Sequence, residues 1–204
     1  MNIYVVFSST PYRIGKLIRG LTHEKYNHIS IALDENLTQM YAFARRYYRT
    51  PFYGGFVRET RSRYHLNGEA ADIRICRLPV TPQQYETLSH TLDDMNKNQE
   101  AYPYNHLSVP AALFRHPVKV RDAYTCIEFC VHILLTLGID LDPGRYYSIG
   151  ELEQLLHPYT IYTGPMPAAE EYDYDFYASK PVRQPVITTL SSILTLLQRR
   201  KAQL

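Results

Sequence analysis

Hydrophobic and polar residues alternate along several short segments of this chain, which is the pattern of β-strands that bury one face. Residues 28–33 alternate in this way, and residues 39–44 form a second extended run after a polar turn, so together they predict a β-hairpin. Residues 3–7 form a short apolar run typical of a buried strand, and residues 71–78 predict a further strand. Residues 45–64 are rich in Arg, Tyr and Gly and predict a loop with one edge strand.

Helical periodicity, with apolar residues three or four positions apart, marks the other predicted elements. Residues 15–21 predict one short helix, and residues 188–201 predict an amphipathic helix near the end of the chain. A capping hydroxyl predicts the start of three more helices, at Thr81, Thr125 and Ser148. Thr125 and Ser148 are each followed three residues later by Glu, which is the capping-box pattern.

The arrangement of these elements predicts an α+β fold. Strands and helices both occur without regular alternation or internal repeats, and 204 residues are enough for one well-buried domain. We assign residues 1–158 to this domain. Residues 159–204 are expected to form a C-terminal wrap and an amphipathic helix packed on the same domain, with irregular chain over residues 159–184.

Composition and charge argue against a nucleic-acid-binding, membrane-spanning or secreted protein. A net charge of +2 is too small to indicate a nucleic-acid partner, and none is expected. No stretch approaches the ~20 apolar residues of a transmembrane helix, and the first residues predict a strand rather than a signal peptide. Three cysteines without framework spacing favour free thiols in a reducing compartment, which predicts a cytoplasmic protein.

Cys126 is the strongest chemical signal, because it directly follows the predicted cap residue Thr125. As the first helical residue it would lie beside free N–H groups and the positive end of the helix dipole, which favour a thiolate. The same N–H groups can hold an oxyanion during acyl transfer. The alternative is a buried small hydrophobic residue, which is the usual role of a free cysteine.

A metal site is a weaker interpretation of the same region. Cys130 and His132 lie close to Cys126 in the sequence, but two cysteines at this spacing without a second ligand pair are a weak signal for zinc. We therefore predict no metal and no cofactor.

His28 is the preferred candidate base among the eight histidines. It begins a strand with clear alternation, so the backbone fixes the direction of its side chain, and catalytic groups require such positioning. The alternative is a surface histidine at the end of a strand.

Two segments together resemble a known family. Residues 26–33, Tyr-Asn-His-Ile-Ser-Ile-Ala-Leu, are similar to the His-bearing strand of circularly permuted, papain-fold hydrolases of the NlpC type, a group that includes YiiX-like and lecithin:retinol acyltransferase-like proteins. Residues 124–131, Tyr-Thr-Cys-Ile-Glu-Phe-Cys-Val, resemble the start of their Cys-bearing helix. The order His before Cys is the mark of the permutation. Residues 40–45 and 54–56 are similar to a bacterial branch of the group.

The resemblance implies a permuted papain-like fold, in which an antiparallel sheet or half-barrel packs against a Cys-bearing helix. It implies that Cys126 is the nucleophile and His28 the general base in attack on an amide, thioester or ester carbonyl, through an acyl-enzyme. The implied substrate is a small molecule, a peptide or a lipid.

Members of the family usually orient the histidine with a polar residue on the next strand, and here no such residue is identified. With a four-residue turn over residues 34–37, Phe43 faces His28, and with a turn one residue shorter Ala42 does. Neither side chain accepts a hydrogen bond. The imidazole would then be oriented by a backbone carbonyl, by water or by a distant side chain, or it would be held less well.

Other polar residues are candidates for contacts near the nucleophile. Tyr104, Asn105 and Tyr124 are assigned as oxyanion or substrate contacts, with support of the cleft wall as the alternative. Six arginines lie among tyrosines within residues 45–63, a pattern that suits either an acidic substrate or, as we favour, a solvated hairpin.

Three functions are consistent with these features. A thiol-dependent amidase, peptidase or related acyl hydrolase is preferred. A lipid acyltransferase would share the thiol chemistry and pass the acyl group to an amine or alcohol. A non-catalytic binding module on the same fold is favoured by the lack of an orienting residue.

Overall fold

The computed structural model describes residues 1–50, 52–109, 115, 118–178 and 183–201. Its helices are α1 (Arg13–Thr22), α2 (Pro82–Lys97), α3 (Cys126–Thr136), α4 (Ile149–Leu156), α5 (Tyr174–Tyr177) and α6 (Arg183–Lys201). Its strands are β1 (Asn2–Ser9), β2 (His28–Ala32), β3 (Met40–Arg45), β4 (Gly54–Glu59), β5 (His65–Leu66), β6 (Glu69–Ala70), β7 (Asp72–Pro79) and β8 (Thr160–Pro165). Short 3-10 turns cover Arg61–Tyr64, Gln99–Ala101 and His157–Tyr159.

Six strands form one antiparallel sheet in the order β4-β3-β2-β1-β7-β8, and β5 pairs with β6 in a separate small hairpin. Strand β1 lies inside the sheet and pairs with β7 from Asn2, opposite Pro79, to Ser9, opposite Asp72. The α+β class predicted from the sequence is confirmed.

Both faces of the central strands β1 and β2 are buried. Val5 and Phe7 of β1 point to the face covered by helices α2, α3 and α4, where the largest hydrophobic cluster lies. Tyr4 and Val6, the alternate residues of the same strand, belong to a second cluster on the other face, together with Tyr64. Burial on both faces explains why every residue of β2 is buried.

The hairpin of β2 and β3 has a different register from the predicted one. Ala32 lies opposite Met40. At this register neither Ala42 nor Phe43 faces His28, so both predicted pairings are wrong.

Asp34 explains the difference, because it stabilises a longer turn. Its carboxylate accepts hydrogen bonds from the backbone N–H groups of Thr38 and Gln39, at 3.1 and 2.8 Å. Leu37 adopts a left-handed conformation with φ of 57°, and the N–H of Leu33 donates to the carbonyl of Gln39. Residues 34–38 therefore form the turn, which shifts the pairing by one residue from the four-residue alternative.

Three helices begin at the predicted capping residues. Thr81, Thr125 and Ser148 each accept a hydrogen bond from the backbone N–H three residues on, and the side chain at that position bonds back to the cap. Within the residues described here, no helix combines the length and apolarity needed to cross a bilayer.

The chain after α4 is more regular than the sequence predicts. Residues 160–165 form β8, an edge strand that pairs with β7 and places Pro165 opposite Asp72. Its side chains are largely exposed, which removes the apolar alternation that usually reveals a strand. Asp173 caps the short helix α5 by accepting from the N–H of Phe176 at 2.9 Å, and the Phe176 ring is buried.

Five of the six arginines within residues 45–63 have partners within the chain. Three form ion pairs: Arg46 with Glu100, Arg61 with Glu170, and Arg63 with Asp173. Arg45 lies over the Tyr12 ring at 4.5 Å from its centre, and Arg58 donates to the Thr38 carbonyl at 3.2 Å. The segment is therefore not the solvated hairpin that we favoured. Two of these ion pairs, those of Arg61 and Arg63, connect the segment to Glu170 and Asp173.

Candidate active site

Cys126 and His28 line the same cleft, which has a volume of about 190 Å³. Cys126 is the first residue of α3 and His28 the first residue of β2. Cys126 is close enough to the imidazole to contribute to the raised pKa of His28, and each residue keeps less than a tenth of its surface exposed. The structure thus brings together the two residues that the sequence analysis paired.

The capping box of α3 determines where the thiol lies. The N–H of Glu128 donates to the Thr125 hydroxyl at 3.3 Å, and the Glu128 carboxylate accepts from the N–H of Thr125 at 2.7 Å. These bonds make Cys126 the first helical residue. Its sulfur therefore lies at the positive end of the helix dipole, as predicted from the sequence.

Thr125→Ala should destabilise the protein by about 1 kcal/mol, the usual effect of losing a cap, and should also slow alkylation of Cys126. Ser148→Ala is the matched control, because Ser148 caps α4 with the same box. It should cost a similar free energy of unfolding without changing the alkylation rate. Urea unfolding and mass-spectrometric labelling give the two readouts. Equal effects of both variants on labelling would contradict a local role for the Thr125 cap.

Glu59, at the end of β4, holds the other side of the His28 ring. Its carboxylate oxygens lie 3.1 and 3.2 Å from Nε2 of His28. Because Nε2 is engaged in this way, Nδ1 is the ring nitrogen left for the sulfur of Cys126. The sequence analysis identified no orienting residue, and the structure corrects it: a buried carboxylate binds the imidazole.

Two hydroxyl groups complete the surroundings of the Glu59 carboxylate. Tyr64 donates to Oε2 at 2.6 Å and Ser30 donates to the same atom at 2.7 Å. Ser30 also lies 3.3 Å from Nε2 of His28. Glu59 is only 4% exposed, so these donors replace the water that a carboxylate would otherwise bind.

Electrostatic interactions favour the charged forms of both His28 and Glu59. Burial alone would lower the pKa of His28, but the negative charge of Glu59 and hydrogen bonds to Cys126 and Glu59 raise it above its ordinary value. Burial alone would raise the pKa of Glu59, but the charge of His28 and its hydrogen bond lower it. The ring is therefore an imidazolium held between a carboxylate and a thiol.

Tyr104 is the one predicted contact residue that lines this cleft. Cys126 also lines this cleft. Burial, followed by the charges of Cys126 and Glu128, raises the pKa of Tyr104 well above its ordinary value, so the hydroxyl keeps its proton. The O–H of Tyr104 is therefore a donor available to a substrate oxygen in the cleft.

Asn105 and Tyr124 lie elsewhere. Both line a second cavity of about 290 Å³, which does not include Cys126. The Asn105 amide donates to the Val118 carbonyl at 2.8 Å and to the Glu128 carboxylate at 3.3 Å, so it connects a loop to the capping box. The Tyr124 ring stacks on His132 with 5.3 Å between centres.

The other two thiols are packed in the protein interior. Cys130 is fully buried, and burial raises the pKa of its thiol above the ordinary value. Burial has the same effect on Cys76 in β7. Cys126 is therefore the cysteine whose side chain adjoins a cleft, among the lining residues that the structure describes.

The rim of the Cys126 cleft is apolar on one side. Ile14 and Ile18 of α1 contribute to it, together with Phe52 and Val109. Phe176 forms part of another wall. Such a rim suits a substrate with a hydrocarbon portion.

Comparisons of the chain with family models, with curated proteins and with solved structures found no match. The permuted papain-like fold and the family resemblance therefore stay predictions. The evidence for function lies in the geometry of Cys126, His28 and Glu59.

Proposed function

We propose that this protein is a thiol-dependent acyl hydrolase of permuted papain-like architecture, with Cys126 as nucleophile and His28 as base. The observation that supports this most is the placement of Cys126 and His28 in the lining of one cleft, with the His28 ring held by Glu59. A weak nucleophile is activated by an adjacent base, and the base is oriented by a third group. Cys126, His28 and Glu59 are candidates for these three roles.

At the start of the reaction the proton of Cys126 already lies on His28, so the ring is an imidazolium, and the sulfur attacks the carbonyl carbon of the substrate. The new carbon–sulfur bond leaves an oxyanion, to which the Tyr104 hydroxyl donates. When the oxyanion collapses, the bond to the leaving group breaks and the leaving group takes the proton from His28. A thioester on Cys126 remains.

In the second half, water attacks the thioester carbon and gives a proton to His28. The carbon–sulfur bond then breaks, the sulfur leaves without a proton beside the imidazolium, and a carboxylic acid leaves. Glu59 keeps its charge throughout and stabilises the imidazolium in both halves.

The apolar rim favours an acyl ester or thioester over a peptide as substrate. A lipid acyltransferase, in which an amine or alcohol takes the place of water, is the second candidate for the same reason. A non-catalytic module was favoured only by the lack of an orienting residue. Glu59 binds the His28 ring, so that argument no longer applies.

Alkylation by iodoacetamide should modify Cys126 far faster than Cys76 or Cys130, and His28→Ala should slow it by about 100-fold or more, the usual contribution of a general base. Mass spectrometry of peptides from a time course measures each site separately. His90→Ala, at an exposed position of α2, is the control and should leave the rate unchanged.

Two results would count against the proposed dyad. One is a Cys126 alkylation rate that does not change in His28→Ala. The other is modification of Cys126 only under conditions that unfold the protein, as judged by circular dichroism.

The acyl chemistry itself is tested with a p-nitrophenyl ester of a medium-chain fatty acid. The intact protein should gain the mass of one acyl group on Cys126, and Cys126→Ala should gain none. Release of free acid indicates a hydrolase, while accumulation of an N-acyl amine after addition of a primary amine indicates a transferase.

A further inference from the structure

Helix α1 presents its apolar side to solvent. Ile14, Leu17, Ile18 and Leu21 recur at the spacing that places them on one face of an α-helix. Leu17 and Leu21 are 60% and 65% exposed. An amphipathic helix of a globular domain normally points such a face to the core, so this orientation needs a partner outside the described chain.

The polar side of α1 is the side fixed to the domain. Gly15 packs so closely that a Cβ there would lie 2.3 Å from the Thr10 hydroxyl oxygen. Arg19 donates to the Thr10 carbonyl at 3.0 Å and to the Asn27 side chain. These contacts prevent the helix from rotating its apolar face toward the core. The fold itself therefore keeps that face exposed.

The apolar face continues into the candidate active site. Ile14 and Ile18 belong to the face and also line the cleft of Cys126. Phe52 and Val109, at the same rim, are 63% and 49% exposed. A surface that covers α1 would therefore also cover the mouth of the cleft.

The charges on and near α1 indicate what kind of partner surface covers it. Arg13 and Lys16 on α1 and Lys25 just after it are exposed. Helix α1 contains no acidic residue, and one carboxylate, Glu24, follows it. An exposed apolar face with basic flanks is the pattern of a helix that lies in the plane of an anionic bilayer. A second copy of the chain fits less well, because a symmetric contact through α1 would bring the same cations together.

We propose that α1, with Phe52 and Val109, docks on an anionic lipid surface, so that the cleft of Cys126 opens toward the acyl groups of the bilayer. The docking is independent of chemistry at Cys126. The further statement that the substrate is an acyl lipid rests on the proposed function.

Sedimentation with vesicles tests the docking, using the full chain with Cys126→Ser so that no turnover occurs. The protein should bind vesicles of phosphatidylcholine with phosphatidylglycerol and bind pure phosphatidylcholine weakly. Leu17→Gln with Leu21→Gln should weaken binding by more than ~10-fold, because two leucines no longer enter the bilayer. Leu190→Gln with Leu194→Gln in α6, which are 58% and 60% exposed, is the matched control.

Each outcome has a clear meaning. Loss of binding in the α1 pair alone, with circular dichroism unchanged, supports the proposal. Absence of binding to anionic vesicles, or equal loss in the α6 pair, overturns it. So does a concentration-dependent dimer that the α1 substitutions dissociate, because the face would then belong to a second copy. Iodoacetamide labelling of Cys126 in the α1 pair should stay at the wild-type rate, which separates this test from that of the dyad.

Discussion

Glu59→Gln should slow alkylation of Cys126 at neutral pH by about tenfold or more. Without the carboxylate, burial is the main influence on His28, and it lowers the pKa of the ring. The imidazolium that stabilises the thiolate is then lost, and each pKa unit corresponds to about a tenfold change in its population. Glutamine keeps the shape of the side chain and can still bind the ring, so this variant tests charge rather than packing.

The free energy of unfolding that Glu59→Gln removes should depend on pH in a defined way. In the wild type, the contribution of His28 is fully present below its ordinary pKa of 6.5 and is lost as the pH rises through the raised value. The contribution of Glu59 is present above its ordinary pKa of 4.5 and is lost as the pH falls through the lowered value. The difference between wild type and Glu59→Gln should therefore be largest between pH 4.5 and 6.5.

Within that window, Glu59→Gln should destabilise the protein by up to roughly 3–5 kcal/mol, the cost of leaving a buried charge without its partner. Loss of the proton from His28 in the variant makes this cost smaller. Urea unfolding at a series of pH values measures the difference. Glu86→Gln, at an exposed position of α2, is the control and should change stability by less than about 0.5 kcal/mol. A difference between wild type and Glu59→Gln that is constant with pH would show that no ion pair forms.

Phe129→Ala should destabilise the protein by about 3–5 kcal/mol, the range for removing a buried phenylalanine. Phe129 is on α3 and is 1% exposed. Its ring centre lies 5.2 Å from that of Phe43 on β3 and 5.7 Å from that of Phe56 on β4. These contacts dock the nucleophile helix on the sheet, so the cavity left by alanine should loosen the approach of sulfur to imidazole.

Two measurements distinguish this effect from general instability. Phe52→Ala removes the same side chain from a position that is 63% exposed and should change the free energy of unfolding by less than about 0.5 kcal/mol. Under conditions where Phe129→Ala is still folded, its Cys126 should be alkylated more slowly than in the wild type. A folded variant with an unchanged rate would show that α3 is positioned by other contacts.

Local signals predicted most of the fold. The alternation of residues 28–33 and the capping residues Thr125 and Ser148 each specify structure through neighbours in the sequence, and the structure follows them. Strand β8 was missed because an exposed edge strand carries no apolar alternation. The hairpin register was wrong because the side chain of Asp34, rather than the apolar pattern, sets the length of the turn.

The candidate site was predictable only in part, for a related reason. Cys126 and His28 were found because each begins an element with a clear local pattern. Glu59 lies on β4, two strands away from His28, and its partner across the pairing is Met40. No local pattern connects Glu59 to the histidine. The only available signal was that an otherwise apolar strand, Gly-Gly-Phe-Val, ends in Arg and Glu.

The wall that Phe176 gives to the cleft has a consequence for the newly made chain. Ribosomes complete the base, the carboxylate and the nucleophile before they add residue 176, since His28, Glu59 and Cys126 all precede it. Until residues 173–176 have been added, Asp173 cannot bind Arg63 and the cleft lacks the wall that Phe176 supplies. The surroundings of the Cys126 sulfur are thus complete only after translation has passed residue 176.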